Sequence, residues 1–344
     1  MILVGLFIIF SLVLFAPFSV KRIEEELEIF LFVMGCLAVT ITSGWSMRLI
    51  EEALIEPVKI TLAVFIAGFL FRALQKPIAR NVNRITDLIG LKLFAFLAIV
   101  GLGFLSSIIT AIIAALVLVE IISHLTLDRK HEVALVILTC FSIGLGAVLT
   151  PIGEPLSAIA TAKLSAEPYH AGFLFLLTHL WRFIIPGILF FGLLGFVIMP
   201  QGRRKSPGLA GGREENINDL SIRAVKVYFF VMALVLLGSG FKPIVEAYIL
   251  KMPYQGLYWI NTVSAVLDNA TLAAAEISPG MGILQIKSAL LGLLIAGGML
   301  IPGNMPNIIA AGKLKIKSSE WAKFGVPLGL VVMVAYFFLL LMLG

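Results

Sequence analysis

Charge is scarce in this chain. Lys, Arg, Asp and Glu make up only 13% of its 344 residues, whereas 60% of the residues are hydrophobic. A soluble domain of this length needs about 25% charged residues to cover its surface. A soluble globular protein is therefore excluded, and much of the surface must face lipid.

Cysteine and enzyme motifs are also scarce. The two cysteines, Cys36 and Cys140, lie in apolar runs and predict small core residues rather than a disulfide or a metal site. The sequence has no Walker loop, and His131-Glu132 lacks the second histidine of an HExxH motif. We expect neither an enzyme nor a bound cofactor. The net charge of +6 is expected to report membrane topology and not nucleic-acid binding.

Most of the sequence consists of long apolar segments. A membrane-spanning helix needs roughly 20 apolar residues, and the chain has room for about ten spanning or partly spanning segments of that kind. The first of them, 1–20, has no basic residue before its apolar run, which predicts a membrane helix and not a cleaved signal peptide. The expected fold class is an all-α polytopic membrane protein of the cell inner membrane.

Two apolar stretches are too short to cross a bilayer. Residues 91–105 would cover about 22 Å, less than a hydrocarbon core of about 30 Å, and the polar pair Ser106-Ser107 follows them. Residues 253–263 are shorter still. Short apolar arms around a polar tip predict re-entrant helical hairpins, at 91–124 and 253–277.

Two other apolar stretches, 132–165 and 282–316, are too long and are interrupted by proline. The interruptions read TPIGEP (150–155) and PGNMPN (302–307). Proline removes a backbone donor and clashes with the preceding turn, so each stretch is expected to be a discontinuous helix. The backbone groups freed at the break become available to a ligand.

These unusual elements occur twice in the same order. At a constant offset of 150 residues, Gly153 aligns with Gly303 and Lys163 aligns with Lys313. Upstream of these breaks, the first hairpin tip, 106–110, corresponds to the second tip, 264–268. The order of hairpin, broken helix and long helix therefore predicts an internal repeat.

Charge placement predicts that the two repeats are inverted. One path through the membrane, with both termini outside, places most of the 26 basic residues in cytoplasmic loops. That path requires the two halves to have opposite orientation. The expected organisation is an N-terminal half (1–199), a cytoplasmic linker (200–220) and a C-terminal half (221–344).

Buried ionisable residues are expensive in a membrane, so each one is a candidate for function. Asp268, at the second tip, is the leading candidate, although an acidic residue there could simply cap a helix. Glu154 lies in the first break and could instead pair with a helix terminus or a lysine. With Asn269 they form the expected Na⁺-like cation ligands, because carboxylate and amide oxygens are hard ligands.

Each half offers one set of polar residues at its tip and break. The first expected ion or substrate site comprises Ser106, Ser107, Thr110, Thr150, Gly153 and Glu154. The second comprises Ser264, Asp268, Asn269, Thr271, Gly303, Asn304 and Asn307. On the returning arms of the hairpins, Glu120 and Glu276 could form either structural ion pairs or a relay.

Two carboxylates without a central Lys or Arg favour cations as the transported species. A buried carboxyl group can hold a proton in place of a cation, which favours Na⁺/H⁺ antiport. A Na⁺-coupled symporter of carboxylates or oxyanions, with the anion at the N-termini of half-helices, is the alternative.

The tip SAVLDNAT (264–271) and the two breaks resemble the ion transporter superfamily. That superfamily includes NhaD-type sodium/proton antiporters, arsenite permeases and divalent-anion/sodium symporters, and the sequence looks most similar to a prokaryotic branch of proposed cation transporters. The resemblance implies that tips and breaks form the ion sites and that the protein is a homodimer. The first tip, 106–110, lacks the Asn-Thr pair typical of carboxylate symporters, which argues against dicarboxylate transport.

Overall fold

The structure is helical wherever it is described. It is a computed structural model that describes residues 2–20, 22–23, 26–55, 57–58, 61–62, 65, 82, 84–125, 127–200, 217–244, 252–267 and 269–343. Every regular element in these ranges is an α-helix or a 3₁₀ helix. The prediction of an all-helical fold is therefore confirmed for the described residues.

The helices with defined ends are numbered α1 to α13 in chain order. Up to residue 198 they are α1 (Ile2–Ser19), α2 (Leu27–Ile41), α3 (Leu91–Ile109), α4 (Ala111–His124), α5 (Arg129–Ala147), α6 (Pro155–Lys163) and α7 (Phe175–Ile198). After residue 216 they are α8 (Ile217–Ile244), α9 (Tyr254–Ile260), α10 (Asn269–Glu276), α11 (Ile283–Gly297), α12 (Met305–Leu314) and α13 (Ser318–Leu343). Short 3₁₀ helices lie at Asn261–Ala265 and Ile301–Gly303.

Four of the described helices are long and apolar enough to cross a membrane: α3, α5, α7 and α13. They differ in burial, since 89% of the apolar window of α5 is buried inside the fold but only 28% of that of α13. The outer helices carry exposed apolar side chains such as Val197 and Val331. A central helix surrounded by helices with apolar outer faces is the architecture of a helical membrane protein.

The first arm of the first hairpin, α3, is longer than the apolar run 91–105 predicted. Helix α3 continues past Leu105 to Ile109. The reason lies in two serine hydroxyl groups, because Ser106 Oγ donates to the Gly103 carbonyl at 2.6 Å and Ser107 Oγ donates to the Phe104 carbonyl at 2.7 Å. Each hydroxyl has a carbonyl group of its own helix within hydrogen-bond distance, so these polar residues do not end it. The single hydroxyl hydrogen of Ser106 is shared with the Ile143 carbonyl of α5.

Helices α2 and α8 form a closely packed pair. A Cβ atom at Gly35 would lie 2.8 Å from Leu236 Cβ, and one at Gly240 would lie 2.5 Å from Ala38 Cβ. Small residues let the two backbones approach, as is common between membrane helices.

The remaining helices pack in a pattern that crosses between the halves. Helix α5 packs against α3 and α7, and α11 packs against α9 and the Asn261–Ala265 turn. The short helix α12 packs on α4, and the short helix α6 packs on α10. Each half therefore places its short helix against an arm of the other half.

Contacts at two places fix the relative direction of the helices. At the start of α5, Arg129 donates to the carbonyl groups of Leu314 and Lys315, where α12 ends. Beyond the end of α6, the Tyr169 hydroxyl donates to the carbonyl of Met281, which precedes α11. The α5–α6 and α11–α12 segments therefore run in opposite directions.

The contact at Arg129 includes a bidentate ion pair. Arg129 Nε donates to Glu320 Oε1 at 2.9 Å, and Nη2 donates to Oε2 at 2.7 Å. Parallel hydrogen bonds of this kind are geometrically specific and stronger than bonds between neutral groups. The pair connects the first residue of α5 with the first turn of α13.

We predict that Glu320→Gln destabilises the fold by about 1.5–3 kcal/mol, because it weakens charge-assisted hydrogen bonds that join the two halves. Glu52→Gln is the control, since Glu52 pairs with Arg48 within one exposed helical segment and such pairs contribute about 0.3–0.5 kcal/mol. Thermal unfolding in detergent checks the prediction. Equal shifts for the two variants would contradict it.

Candidate functional site

Both long helical segments are interrupted, at positions 150 residues apart. Helix α5 ends at Ala147, and α6 begins after Glu154, whose backbone is extended (φ −156°, ψ 163°). Helix α11 ends at Gly297, and α12 begins after Asn304, whose backbone is again extended (φ −158°, ψ 160°). The two short helices therefore start with the same local geometry.

Hydrogen bonds across the two breaks also correspond. Ser157 Oγ donates to the Thr150 carbonyl at 2.7 Å, and Asn307 Nδ2 donates to the Leu300 carbonyl at 2.9 Å. The donors are 150 residues apart, and so are the acceptors. In each break a side chain from the short helix adds a hydrogen bond to a carbonyl group that also accepts from the amide of the glycine three residues further on.

A glycine makes each break possible. A Cβ atom at Gly153 would lie 2.0 Å from the Ala147 carbonyl oxygen. One at Gly303 would lie 2.4 Å from the Gly297 carbonyl oxygen and 2.7 Å from that of Ser264. The chain turns back on the end of the preceding helix so closely that only glycine fits.

Each hairpin tip is attached to the long helix of its own half by a buried serine. Ser106 Oγ donates to the Ile143 carbonyl at 3.0 Å, and Ser264 Oγ donates to the Leu293 carbonyl at 3.1 Å. These acceptors are again 150 residues apart. Both serine side chains are fully buried, so the tips lie inside the protein, beside the breaks.

The first tip makes further contacts with its break. The Ala111 amide donates to the Gly153 carbonyl at 2.8 Å, and Thr150 Oγ1 donates to the Ser107 carbonyl at 2.5 Å. Between α3 and α4, Thr110 has φ 75° and ψ 149°. That backbone region costs a residue with a side chain about 1–3 kcal/mol and is found where surrounding contacts impose it.

The second break contains a buried side chain with unused hydrogen-bonding capacity. Asn304 is 1% exposed, and within the described part of the chain neither its Oδ1 nor its Nδ2 has a hydrogen-bond partner. A Cβ atom at Gly144 would lie 2.8 Å from Asn304 Nδ2, so the amide rests against α5 of the other half. A buried amide without partners costs about 1–3 kcal/mol, which makes Asn304 a candidate ligand-binding residue.

Two further side-chain amide groups near this break also have an atom without a hydrogen-bond partner. Asn307 Oδ1 and Asn269 Nδ2 are buried and have no hydrogen-bond partner among the described residues. Asn307 lies in the first turn of α12, and Asn269 begins α10 after the second tip. Together with Asn304 they provide oxygen acceptors and amide donors on two helix N-termini.

The predicted site residues differ in where the structure places them. Contacts bring Ser107, Thr150 and Gly153 together at the first break, and Ser264 and Gly303 together at the second. Glu154 is buried at the start of α6. Asp268 lies outside the described residues, and Thr271 lies on α10.

The described residues contain no group of three or more His, Cys, Asp or Glu side chains that could hold a metal ion. A cation bound among them would therefore depend on amide, hydroxyl and backbone carbonyl oxygens as well as on single carboxylates. Such ligands suit a hard monovalent cation and not a transition metal.

Sequence reasoning missed two residues at the breaks, Ser157 and Gly144, and one residue of the second hairpin, Asn261. The 150-residue offset could have found Ser157, since it aligns with Asn307. Gly144 is important only because Asn304 of the other half rests against it, and no local pattern indicates that contact. Asn261, which hydrogen-bonds Glu276, lies in a 3₁₀ turn without a distinctive motif.

The fold and these buried polar breaks define a helical membrane protein with a candidate ligand site in its interior. The chain matches the model of a protein family of unknown function (DUF1646) over residues 3–343. It belongs to that family. A comparison with curated proteins finds no match.

We predict that Gly303→Ala lowers the thermal stability of the protein, because its Cβ would overlap two carbonyl oxygens at the second break. Overpacking of this kind costs about 1–3 kcal/mol. The matched control is Gly312→Ala on α12, where nothing lies within 4 Å of the added Cβ. Unfolding in detergent should separate the two variants, and a Gly303→Ala protein as stable as the control would refute the geometry of the break.

Proposed function

We propose that the protein is a secondary active transporter, a cation (Na⁺)/H⁺ antiporter that works by alternating access. Its ion sites are formed by the hairpin tips and helix breaks of two inverted repeats. The transported species are small ions, and no cofactor takes part. One observation carries the proposal: the buried Asn304 amide at the second break has no partner among the described residues.

The matched contacts support the repeat. Two breaks with the same backbone geometry, two serine-anchored tips and two corresponding hydrogen bonds all recur at a fixed spacing. The opposite directions of α5–α6 and α11–α12 support inversion. Inverted repeats with discontinuous helices that meet at a central site are the architecture of many secondary transporters.

The chemistry of the breaks supports a cation. Asn304 and Asn307 each offer an unused amide oxygen. Asp268, which lies outside the described residues, directly precedes Asn269 in the sequence and is the proposed carboxylate ligand. Oxygen ligands of this kind suit Na⁺. In the first half, Thr150, Glu154 and the tip backbone offer a second set of oxygen atoms.

The arrangement of the tips supports alternating access. Each tip lies against the break of its own half, and in the proposed repeat the two halves have opposite orientation. Movement of one tip would open its break toward one side of the membrane, while the other tip keeps the opposite side closed. The Thr110 backbone at the first tip is strained (φ 75°). The contacts of this tip with the break must therefore hold it in that conformation.

Na⁺-coupled anion symport is the second candidate, and the same site provides its supporting observation. Asn304 Nδ2 is an unused donor next to the N-terminus of α12. Helix N-termini attract anions through their free amide groups and the helix dipole. A carboxylate or oxyanion could bind there while Na⁺ occupies the oxygen ligands.

The cellular setting belongs to the proposal as well. We place the protein in the cell inner membrane as a multi-pass homodimer, with both termini outside and the 200–220 linker in the cytoplasm. The basic residues of the loops support this orientation. The lipid bilayer and small ions are its expected partners.

Proteoliposomes with a preset pH gradient and an internal pH dye test the function. We expect a pulse of Na⁺ to dissipate the gradient, with Li⁺, K⁺ and Ca²⁺ establishing selectivity. No response to any cation from correctly inserted protein would refute antiport. Uptake of a radiolabelled carboxylate or oxyanion that depends on Na⁺ would then establish the symport alternative.

We predict that Asn304→Ala raises the Na⁺ concentration needed for half-maximal dissipation by about tenfold or more, because a hydrogen-bonding or ligating group for an ion contributes about 1.5–3 kcal/mol. Ser165→Ala, an exposed substitution beyond the end of α6, is the control and should behave as the unmodified protein. An unchanged Na⁺ dependence in Asn304→Ala would remove this residue from the site.

A further inference from the structure

The returning arm of the second hairpin carries a buried carboxyl group that the break sites do not use. Glu276 is the last residue of α10 and is 0% exposed. Its Oε2 accepts a hydrogen bond from Asn261 Nδ2 at 2.9 Å. Its Oε1 has no hydrogen-bond partner among the residues that the structure describes.

Asn261 is held in place by the helix behind it. Its Nδ2 also donates to the Ala289 carbonyl of α11 at 3.2 Å. A Cβ atom at Gly292 would lie 3.0 Å from Asn261 Cβ and 2.6 Å from the Tyr258 carbonyl oxygen, so the first arm lies directly on α11. The Asn261 amide is therefore fixed in position, and the Glu276 hydrogen bond joins the two arms of the hairpin.

No described basic side chain neutralises Glu276. Helices α6, α8 and α11 and the Asn261–Ala265 turn pack against α10. The basic residues of these elements with described side chains are Lys163, Lys226, Lys242 and Lys287. Lys226 pairs with Glu26 and Glu28, and no charged group is found to act on Glu276 among the described residues. An isolated charge in such a place is very costly, whereas a bound proton removes the charge.

The equivalent arm of the first half is different. Glu120 on α4 is also buried, but its Oε1 lies 3.4 Å from Nδ1 of His124, one turn further along the same helix. A basic group is thus available to the carboxylate of the first hairpin. Glu276 has only an amide, so the two halves are not equivalent in the charge they can hold.

Glu276 lies away from the ion site but on the same helix. Seven residues separate it from Asn269 at the tip, which corresponds to about 10 Å along the helix axis. Helix α10 also packs on α6 of the other half. A change at Glu276 can therefore act on the tip and on the first broken helix without contact with the cation.

We propose that Glu276 is the residue that binds and releases the coupling proton of the transport cycle, with Asn261 as its positioning residue. This inference rests on the proposed cation–proton antiport. The proton resides on Oε1, because Oε2 already accepts the Asn261 hydrogen bond. When a cation binds at the tip, Glu276 releases the proton, and the Asn261 amide stabilises the carboxylate until the cation has left.

Glu276→Gln tests the assignment, because glutamine retains an acceptor for Asn261 but cannot release a proton. In proteoliposomes, we expect the variant to lose uptake of radiolabelled Na⁺ driven by a pH gradient while it keeps the exchange of internal for external Na⁺. Glu167→Gln, at an exposed position, is the control and should retain both. Retention of pH-driven uptake by Glu276→Gln, or loss of both activities, would overturn the proposal.

Infrared spectroscopy of the purified protein tests the same group without transport. We expect the unmodified protein at neutral pH to show an absorption band of a protonated carboxyl group that Glu276→Gln lacks and that added Na⁺ diminishes. Identical spectra would overturn the inference. If the unmodified protein exchanges no cation for protons, the proposed function fails, and the spectra alone still decide whether Glu276 holds a proton.

Discussion

The structure depends on one constraint: a helix that is interrupted inside an apolar protein must find new partners for its backbone groups. The Thr150 and Leu300 carbonyl groups find them in Ser157 and Asn307, at 2.7 and 2.9 Å. Buried backbone groups without partners are costly, so the hairpin tips, the glycines and the short helices must occupy fixed positions. The two breaks are therefore stable features of the fold and not local disorder.

The same constraint explains where the fold departs from symmetry. Most polar groups at the breaks have partners, but the Asn304 amide has none among the described residues. Its counterpart at the first break is a carboxylate, Glu154. Likewise, Glu120 has a nearby histidine, whereas Glu276 has only Asn261. Two similar scaffolds thus carry different polar groups at corresponding positions.

Much of the fold could be predicted from the sequence, because its signals are local. Low charge predicts a membrane protein, and Pro155 and Pro306 mark the starts of short helices. The sequence did not predict that α3 would include Ser106, because the hydroxyl groups that keep it helical bond to backbone one turn away. Nor did it predict the contact of Asn304 with Gly144, since that contact depends on how two distant segments pack.

The most direct test of the account is whether binding a cation displaces protons from the purified protein. In weakly buffered detergent solution, we expect added Na⁺ to release protons from the unmodified protein and to acidify the medium in a saturable manner. The Asp268→Asn variant should release far fewer protons. No proton release on addition of any of Na⁺, Li⁺, K⁺ or Ca²⁺ to folded protein would contradict the claim that cations and protons compete on this molecule.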